Sequence, residues 1–135
     1  EILYDFVVKQ VKEVTSDPKQ TLLLDVCCGT GTIGLTCMKE GVVGRVLGVD
    51  ISEPAIDDAK RNAEKNGWPS EDAGGDSALV TTRFVASRAE QALASEMNEI
   101  RKGSFPIVAV VDPAREGLHG DVLRTLRINE KIQRL

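Results

Sequence analysis

Leu22-Leu23-Leu24-Asp25-Val26-Cys27-Cys28-Gly29-Thr30-Gly31-Thr32-Ile33-Gly34 decides how this chain folds. Its first five residues are apolar apart from one acid, which suits a parallel strand covered on both faces. Gly29 and Gly31 then allow a turn whose backbone adopts positive φ and approaches a ligand without Cβ collision. From Thr32 a helix opens, and its free N–H groups and positive dipole end favour a carboxylate or phosphate. A second apolar run closes on Asp50, nineteen residues after Gly31, and a third closes on Asp112-Pro113-Ala114-Arg115. Strands with acids at their carboxyl ends describe the ligand edge of an open α/β sheet.

The rest of the chain extends that pattern. Leu3, Val7, Val11 and Val14 fall at helical spacing, so residues 2–14 read as an amphipathic helix. Ser16-Asp17-Pro18 breaks it. Thr21–Val26 is the first strand, 32–40 a helix ended by Gly41, and Arg45–Val49 the second strand. Ser52 reads as the N-cap, with Pro54 in the first turn, of a helix that buries Ile56, Ala59 and Ala63 and ends at Gly67. Residues 68–78, with Gly74-Gly75, are expected to form a mobile loop. Val80–Val85 is the third strand, and 88–101 a helix with Ala89, Ala92, Leu93 and Met97 inward. Ile107–Val111 is the fourth strand, 120–128 a further helix, and Ile132 to Leu135 the approach to a fifth strand left incomplete. One helix followed by βα units with right-handed crossovers predicts an α/β fold over residues 1–135. It is a Rossmann-like, parallel, doubly wound sheet truncated before strand five.

Composition narrows the function classes. The 135 residues carry a net charge of −4, which argues against a surface that is wholly a nucleic-acid footprint. A mild basic bias runs from Arg115 to Arg134, through Arg124, Arg127 and Lys131. No apolar run approaches the ~18 residues of a membrane span, so no membrane partner is expected. The chain starts at Glu1 rather than Met, as a piece of a longer protein would. Cys27, Cys28 and Cys37 have neither metal spacing nor a disulfide pattern, so no metal is expected. They point to a reducing setting, cytoplasmic or nuclear. All three read as small buried hydrophobes, distant in sequence from the single histidine, His119.

Gly29-Thr30-Gly31-Thr32-Ile33-Gly34 satisfies the dinucleotide pattern G-x-G-x-x-G, which leaves a nicotinamide-dependent dehydrogenase open. Asp25, four residues before Gly29, shifts the reading. Acid-x-small-small-Gly-x-Gly resembles the nucleotide loop of S-adenosyl-L-methionine methyltransferases. Asp50 is then placed to accept both ribose hydroxyl hydrogen bonds, and an Asn there is expected to be milder than an Ala because it keeps one acceptor. Ile51 would lie against the adenine, with Ser87 and Arg88 at its edge, although an N-cap at Ser87 explains those residues as well. Asp57 and Asp58 read as solvated helix acids. Asp112 and Pro113 supply a carboxylate and a stiffened loop beside the transferring methyl. Arg115, on the substrate side, could bind phosphate or hold a carboxylate.

Val26-Cys27-Cys28-Gly29-Thr30-Gly31-Thr32-Ile33-Gly34-Leu35, with Asp112-Pro113-Ala114-Arg115-Glu116-Gly117-Leu118-His119, resembles the RNA 5-methyluridine methyltransferase family over nearly all of the chain. The resemblance implies that Cys27 and Thr32 flank the cofactor, Asp50 holds its ribose and Asp112 lies at its methyl end. It also implies methylation of uridine at C5 in tRNA, by a cysteine nucleophile and a glutamate base expected after Leu135. The nucleophile would attack uracil C6 and the base would remove the C5 proton. On that reading no catalytic residue lies within these 135 positions. Family members usually carry two prolines after the motif acid, and Ala114 takes the place of the second. Ribosomal RNA as the substrate, and a non-catalytic RNA-binding or scaffold domain, remain alternatives.

Overall fold

The computed structural model describes residues 2–68, 82–102, 106–111 and 132–134. The helix expected over 120–128, all of the 68–78 loop except Trp68, and the side chain of Met97 lie outside the described residues.

β1 (Leu22–Val26) is the centre of a parallel sheet. On one side it pairs with β2 (Arg45–Asp50), from Leu22↔Arg45 to Val26↔Val49. On the other it pairs with β4 (Ile107–Val111), from Leu22↔Ile107 to Val26↔Val111. β3 (Thr82–Ala86) lies outside β2, ending in the pair Asp50↔Ala86. The strand order is β3-β2-β1-β4-β5, where β5 is Ile132–Arg134. The fifth strand, expected to be missing, is present in short form: Ile132 pairs with Ile107, and three residues cover the outer edge of β4 from Ile107 to Ala109.

Chain direction reverses at β1. β1, β2 and β3 step outward in order, after which the chain returns past them to place β4 on the far side of β1. Ligands of doubly wound sheets bind above the strand ends at this reversal.

Two apolar layers enclose the sheet. Val11 of α1 (Ile2–Val14), Leu35 of α2 (Thr32–Lys39) and Ile56, Ala59 and Ala63 of α3 (Glu53–Lys65) pack with Leu23, Val46, Phe84, Val108 and Val110. On the other face Ala92 and Leu93 of α4 (Ala89–Lys102) pack with Leu22, Leu24, Val26, Leu47, Val49, Ile107 and Ala109. Leu23 and Leu24 are fully enclosed on opposite faces, each contributing roughly 2 kcal/mol of burial. That two-sided cover is why β1 reads as a continuous apolar run.

Local signals act as their chemistry predicts. Ser52 Oγ accepts the Ala55 N–H at 3.3 Å, and Pro54 sits in the first turn of α3. Gly41 and Gly67 follow α2 and α3 in the left-handed region, at φ +74° and +79°. Thr21 stays outside β1 because it closes a short 3₁₀ turn, its Oγ1 donating to the Asp17 carbonyl at 2.7 Å.

Candidate cofactor site at the strand ends

Hydrogen bonding does not stop where the strands do. The Cys28 N–H donates to the Val49 carbonyl at 2.9 Å, adding a rung between β1 and β2. The Ser87 N–H donates to the Asp50 carbonyl at 2.9 Å, adding one between β2 and β3. Both loops that leave the sheet are thus held as its continuation.

The glycine loop turns above β1. Cys27, Gly29 and Gly31 have φ of +63°, +57° and +81°. For Cys27 this is a strained conformation that a non-glycine residue rarely adopts, held while its side chain packs toward the α4 face. The Gly31 N–H returns to the Cys28 carbonyl at 3.0 Å, closing the turn. A Cβ on Gly31 would come within 3.0 Å of the Phe84 ring and 3.2 Å of Ala59, so the end of the loop rests directly on β3 and α3. A Cβ on Gly29 would meet nothing within 4 Å, so that side of the loop is open.

Asp50 joins the two loops. Its Oδ2 accepts the Gly29 N–H at 2.8 Å and its Oδ1 accepts the Ser52 N–H at 3.0 Å. A carboxylate has about four lone-pair sites, so each oxygen keeps capacity for another donor. Asp50 is half-buried, while Ile51 beside it is 70% exposed, one of only two large apolar side chains so exposed among the described residues. Thr30 N–H finds no acceptor among the described residues, and α2 opens on Gly31 with no side-chain cap. Open amides at a helix start suit an anionic ligand group.

Asp25 is fully buried beneath the loop, on the face that α2 covers. Its charge and that of Asp50 bear on Cys28. Burial first, and those two carboxylates next, push the Cys28 thiol far above its usual range. Burial, followed by Asp25, raises Cys37 to about 12. Neither thiol is a nucleophile near neutral pH, because the thiolate is the reactive form. The shifts also carry a pH signature. Thiols of the unfolded chain ionise near 9.0, below where these two do in the folded protein, so the unfolded state loses protons first. The thiols' contribution to stability should be constant below pH 9.0 and fall as pH rises from 9.0 toward 12, by up to ~1.4 kcal/mol per pH unit for each thiol. Urea titrations at pH 8 and pH 10 check this, and removing both thiols as Cys28→Ala/Cys37→Ala should flatten the profile.

Ser87 and Arg88 follow β3 at the same sheet edge, with one correction to the reading from sequence. Ser87 is not the N-cap of α4: its Oγ donates to the Arg88 carbonyl at 3.2 Å. The helix starts at Ala89, and the Arg88 carbonyl accepts the Gln91 and Ala92 N–H groups, so Arg88 is the capping residue. Ser87 is recruited instead by its backbone bond to Asp50. The Arg88 guanidinium is mostly exposed, 3.9 Å from Glu90. Asp58 pairs with Arg61 on the outside of α3, and Asp57 is exposed, as surface acids. Asp112, Pro113, Arg115 and His119 lie outside the described residues. Among the described residues no cluster of His, Cys, Asp or Glu could hold a metal ion, and no helix is long and apolar enough to cross a membrane.

Two features of the site carried no sequence signal that was used. Gly48, in the middle of β2, leaves the recess into which Phe84 and the Cys28 sulfur pack. Asn62 of α3 donates from Nδ2 to the Thr30 carbonyl at 3.2 Å. A glycine inside a strand is itself a mark of close approach and could have exposed the first.

Known proteins resemble the chain in sequence and in fold. A family model described as a methyltransferase domain matches residues 17–69. The chain is 38% identical over 123 residues to tRNA (uracil-5-)-methyltransferase homolog B of Pongo abelii, covering 91% of this chain and 22% of that protein. It is 39% identical over 113 residues to tRNA (uracil-5-)-methyltransferase homolog A of Mus musculus, covering 84% of this chain and 16% of that protein. The chain therefore spans about a fifth of the length of these relatives. A SAM-dependent methyltransferase from Agrobacterium tumefaciens has the same fold, with a TM-score of 0.55 at 20% identity over 83% of this chain and 30% of that one.

Residues 17–69 match a methyltransferase domain, and the relatives that share most of the rest of the chain are named as methyltransferases. That decides between the two readings that the G-x-G-x-x-G pattern left open, and implies S-adenosyl-L-methionine as the cofactor of this domain. The residues present fit it. Asp50 keeps lone pairs for two hydroxyl donors, Ile51 offers an exposed apolar surface beside them, and the Gly29 side of the loop is open next to the Thr30 amide.

Proposed function

We propose that this methyltransferase domain is the cofactor-binding part of an enzyme that methylates C5 of uridine in tRNA. The likeness to the two tRNA (uracil-5-)-methyltransferase homologs, running through the glycine loop and most of the chain, supports the substrate. The observation that carries the cofactor reading is the Asp50 carboxylate. It is fixed by Gly29 and Ser52 from two loops and still able to accept from a ribose.

S-adenosyl-L-methionine, when bound, supplies a sulfonium methyl group. The chain's own residues bind and orient. Asp50 accepts the ribose hydroxyls, Ile51 covers one face of the adenine, and Ser87 and Arg88 border its edge. Cys27, Gly29, Thr30, Gly31 and Thr32 form the wall against the amino-acid end, over the buried Asp25. Asp112 and Pro113 are assigned to the methyl end and Arg115 to the RNA side. The attacking thiolate is assigned outside this stretch: burial pushes the Cys28 and Cys37 thiols up, and Cys27 packs against the apolar layer on the α4 face. A reducing compartment, cytoplasm or nucleus, suits a site that contains adjacent cysteines.

Calorimetry of this chain against S-adenosyl-L-methionine and against NADH should show binding of the first alone. The longer protein with labelled cofactor and unmodified tRNA should place the label on uridine C5. Label appearing only in ribosomal RNA would transfer the reading to that substrate, and cofactor binding without methylation of either would leave a scaffold.

A further inference from the structure

The glycine loop is fixed one peptide plane at a time. The plane between Cys27 and Cys28 is held by the Val49 carbonyl. The plane between Cys28 and Gly29 is held at both ends, its carbonyl by the Gly31 N–H and its N–H by Asp50. The plane between Thr30 and Gly31 donates its N–H to Cys28 and turns its carbonyl the other way, toward α3. There Asn62 Nδ2 donates to it at 3.2 Å across 32 residues of sequence. Asn62 sits one turn after Ala59, against which Gly31 rests, so a single face of α3 supports the back of the loop.

We propose that Asn62 is a positioning residue for the cofactor. By holding the Thr30 carbonyl backward it fixes the second end of the Thr30–Gly31 peptide, and with it the Thr30 Cα from which the Gly29–Thr30 peptide hangs; the N–H of that peptide has no acceptor among the described residues and borders the open side of the loop. Asn62 touches no cofactor atom itself. Its side chain lines a groove of about 180 Å³ between α2 and α3, with Thr32, Thr36, Lys39 and Trp68. Water in that groove would compete for the Thr30 carbonyl once the amide is gone. The inference rests on the cofactor reading above and extends it to a residue behind the loop.

The side chain can be removed without weakening the helix. Ala is the better helix former at an interior position. The bonds from Asn66 reach the backbone carbonyl of residue 62, which any substitution keeps. Asn62→Ala should therefore leave the thermal midpoint of the ligand-free protein close to its wild-type value, the gain in helix propensity offsetting the one lost bond. It should weaken S-adenosyl-L-methionine binding roughly three- to tenfold, because the loosened loop must then be ordered on binding. Asn62→Asp, which sets a carboxylate oxygen against the Thr30 carbonyl, should weaken it at least as much. Amide exchange in the ligand-free protein should quicken at Gly29 and Gly31, the bonded amides of the loop, in both variants and stay unchanged along α4. Wild-type binding with equal affinity in both variants overturns the positioning role and leaves the cofactor reading intact. No binding by the wild type removes both. A lower midpoint with faster exchange throughout α3 in Asn62→Ala makes Asn62 a general structural residue and overturns the proposal as well.

Discussion

Replacing Asp50 by Ala will weaken S-adenosyl-L-methionine binding roughly a hundredfold, and replacing it by Asn will weaken it nearly as much. Two ribose hydrogen bonds to a carboxylate, at about 1.5 kcal/mol each, give the first figure. The second follows from where the two oxygens point. From sequence alone Asn is expected to be mild, because its amide keeps one acceptor. In the folded chain both oxygens already accept backbone N–H groups, from Gly29 at 2.8 Å and Ser52 at 3.0 Å. An amide must turn its NH₂ toward one of them, donor against donor, and either loop then loses its anchor. Calorimetry on both variants tests the point. Unchanged affinity in Asp50→Ala would remove the ribose assignment, and near-native affinity in Asp50→Asn would show that one of the two loop bonds is dispensable.

Gly48→Ala carries the second large effect, on stability and binding together. Gly48 pairs with Phe84 across β2 and β3, and a Cβ there would lie 2.7 Å from one ring carbon and 3.0 Å from the Cys28 sulfur. Phe84 is buried and has α3 above it, so the ring cannot yield without disturbing the core. Overpacking of this kind costs about 1–3 kcal/mol, readable as a lower urea midpoint at unchanged slope. Because Gly31 rests on the same ring, the cofactor loop is displaced as well, and affinity should drop with stability. Trimming the ring in Gly48→Ala/Phe84→Leu should recover part of the stability, a coupling expected only of groups in contact. A double variant no more stable than Gly48→Ala alone would show that the Phe84 contact is not what limits the site.

The fold was legible where one segment carries its own signal. Leu22–Val26 declares a strand buried on both faces, and Ser52 with Pro54 declares the start of α3, because both depend on neighbours within a few residues. The place of Asp50 at the end of β2 was legible too, from an apolar run that closes on an acid; its bond to the glycine loop was not. What escaped depends on distant parts of the chain meeting. Nothing near Asn62 hints that its amide reaches Thr30, and nothing near Ser87 shows that its backbone N–H is taken by Asp50. The cap of α4 was misplaced by one residue for the same reason. Once the β2–β3 ladder claims Ser87, the helix can only begin from Arg88. Beginning strand five at Ile132 was readable from its apolar start, whereas its pairing with Ile107 was not, since register is set by the partner.

The central place of β1 has a consequence for how the chain comes into being. Leu22 pairs with Ile107, 85 positions later, so one edge of this central, buried strand has no native partner until β4 has been made. At synthesis rates of 5–20 residues per second that interval lasts about four to seventeen seconds. During it a nascent chain already able to form β1, β2 and their helices presents an unpaired, hydrophobic edge, the kind of template on which strands from other molecules add. The same arrangement that puts the glycine loop at the middle of the sheet thus makes the emerging protein dependent on protection of that edge. Codon choice or chaperone supply between residues 27 and 107 should influence soluble yield more than equal changes after β4.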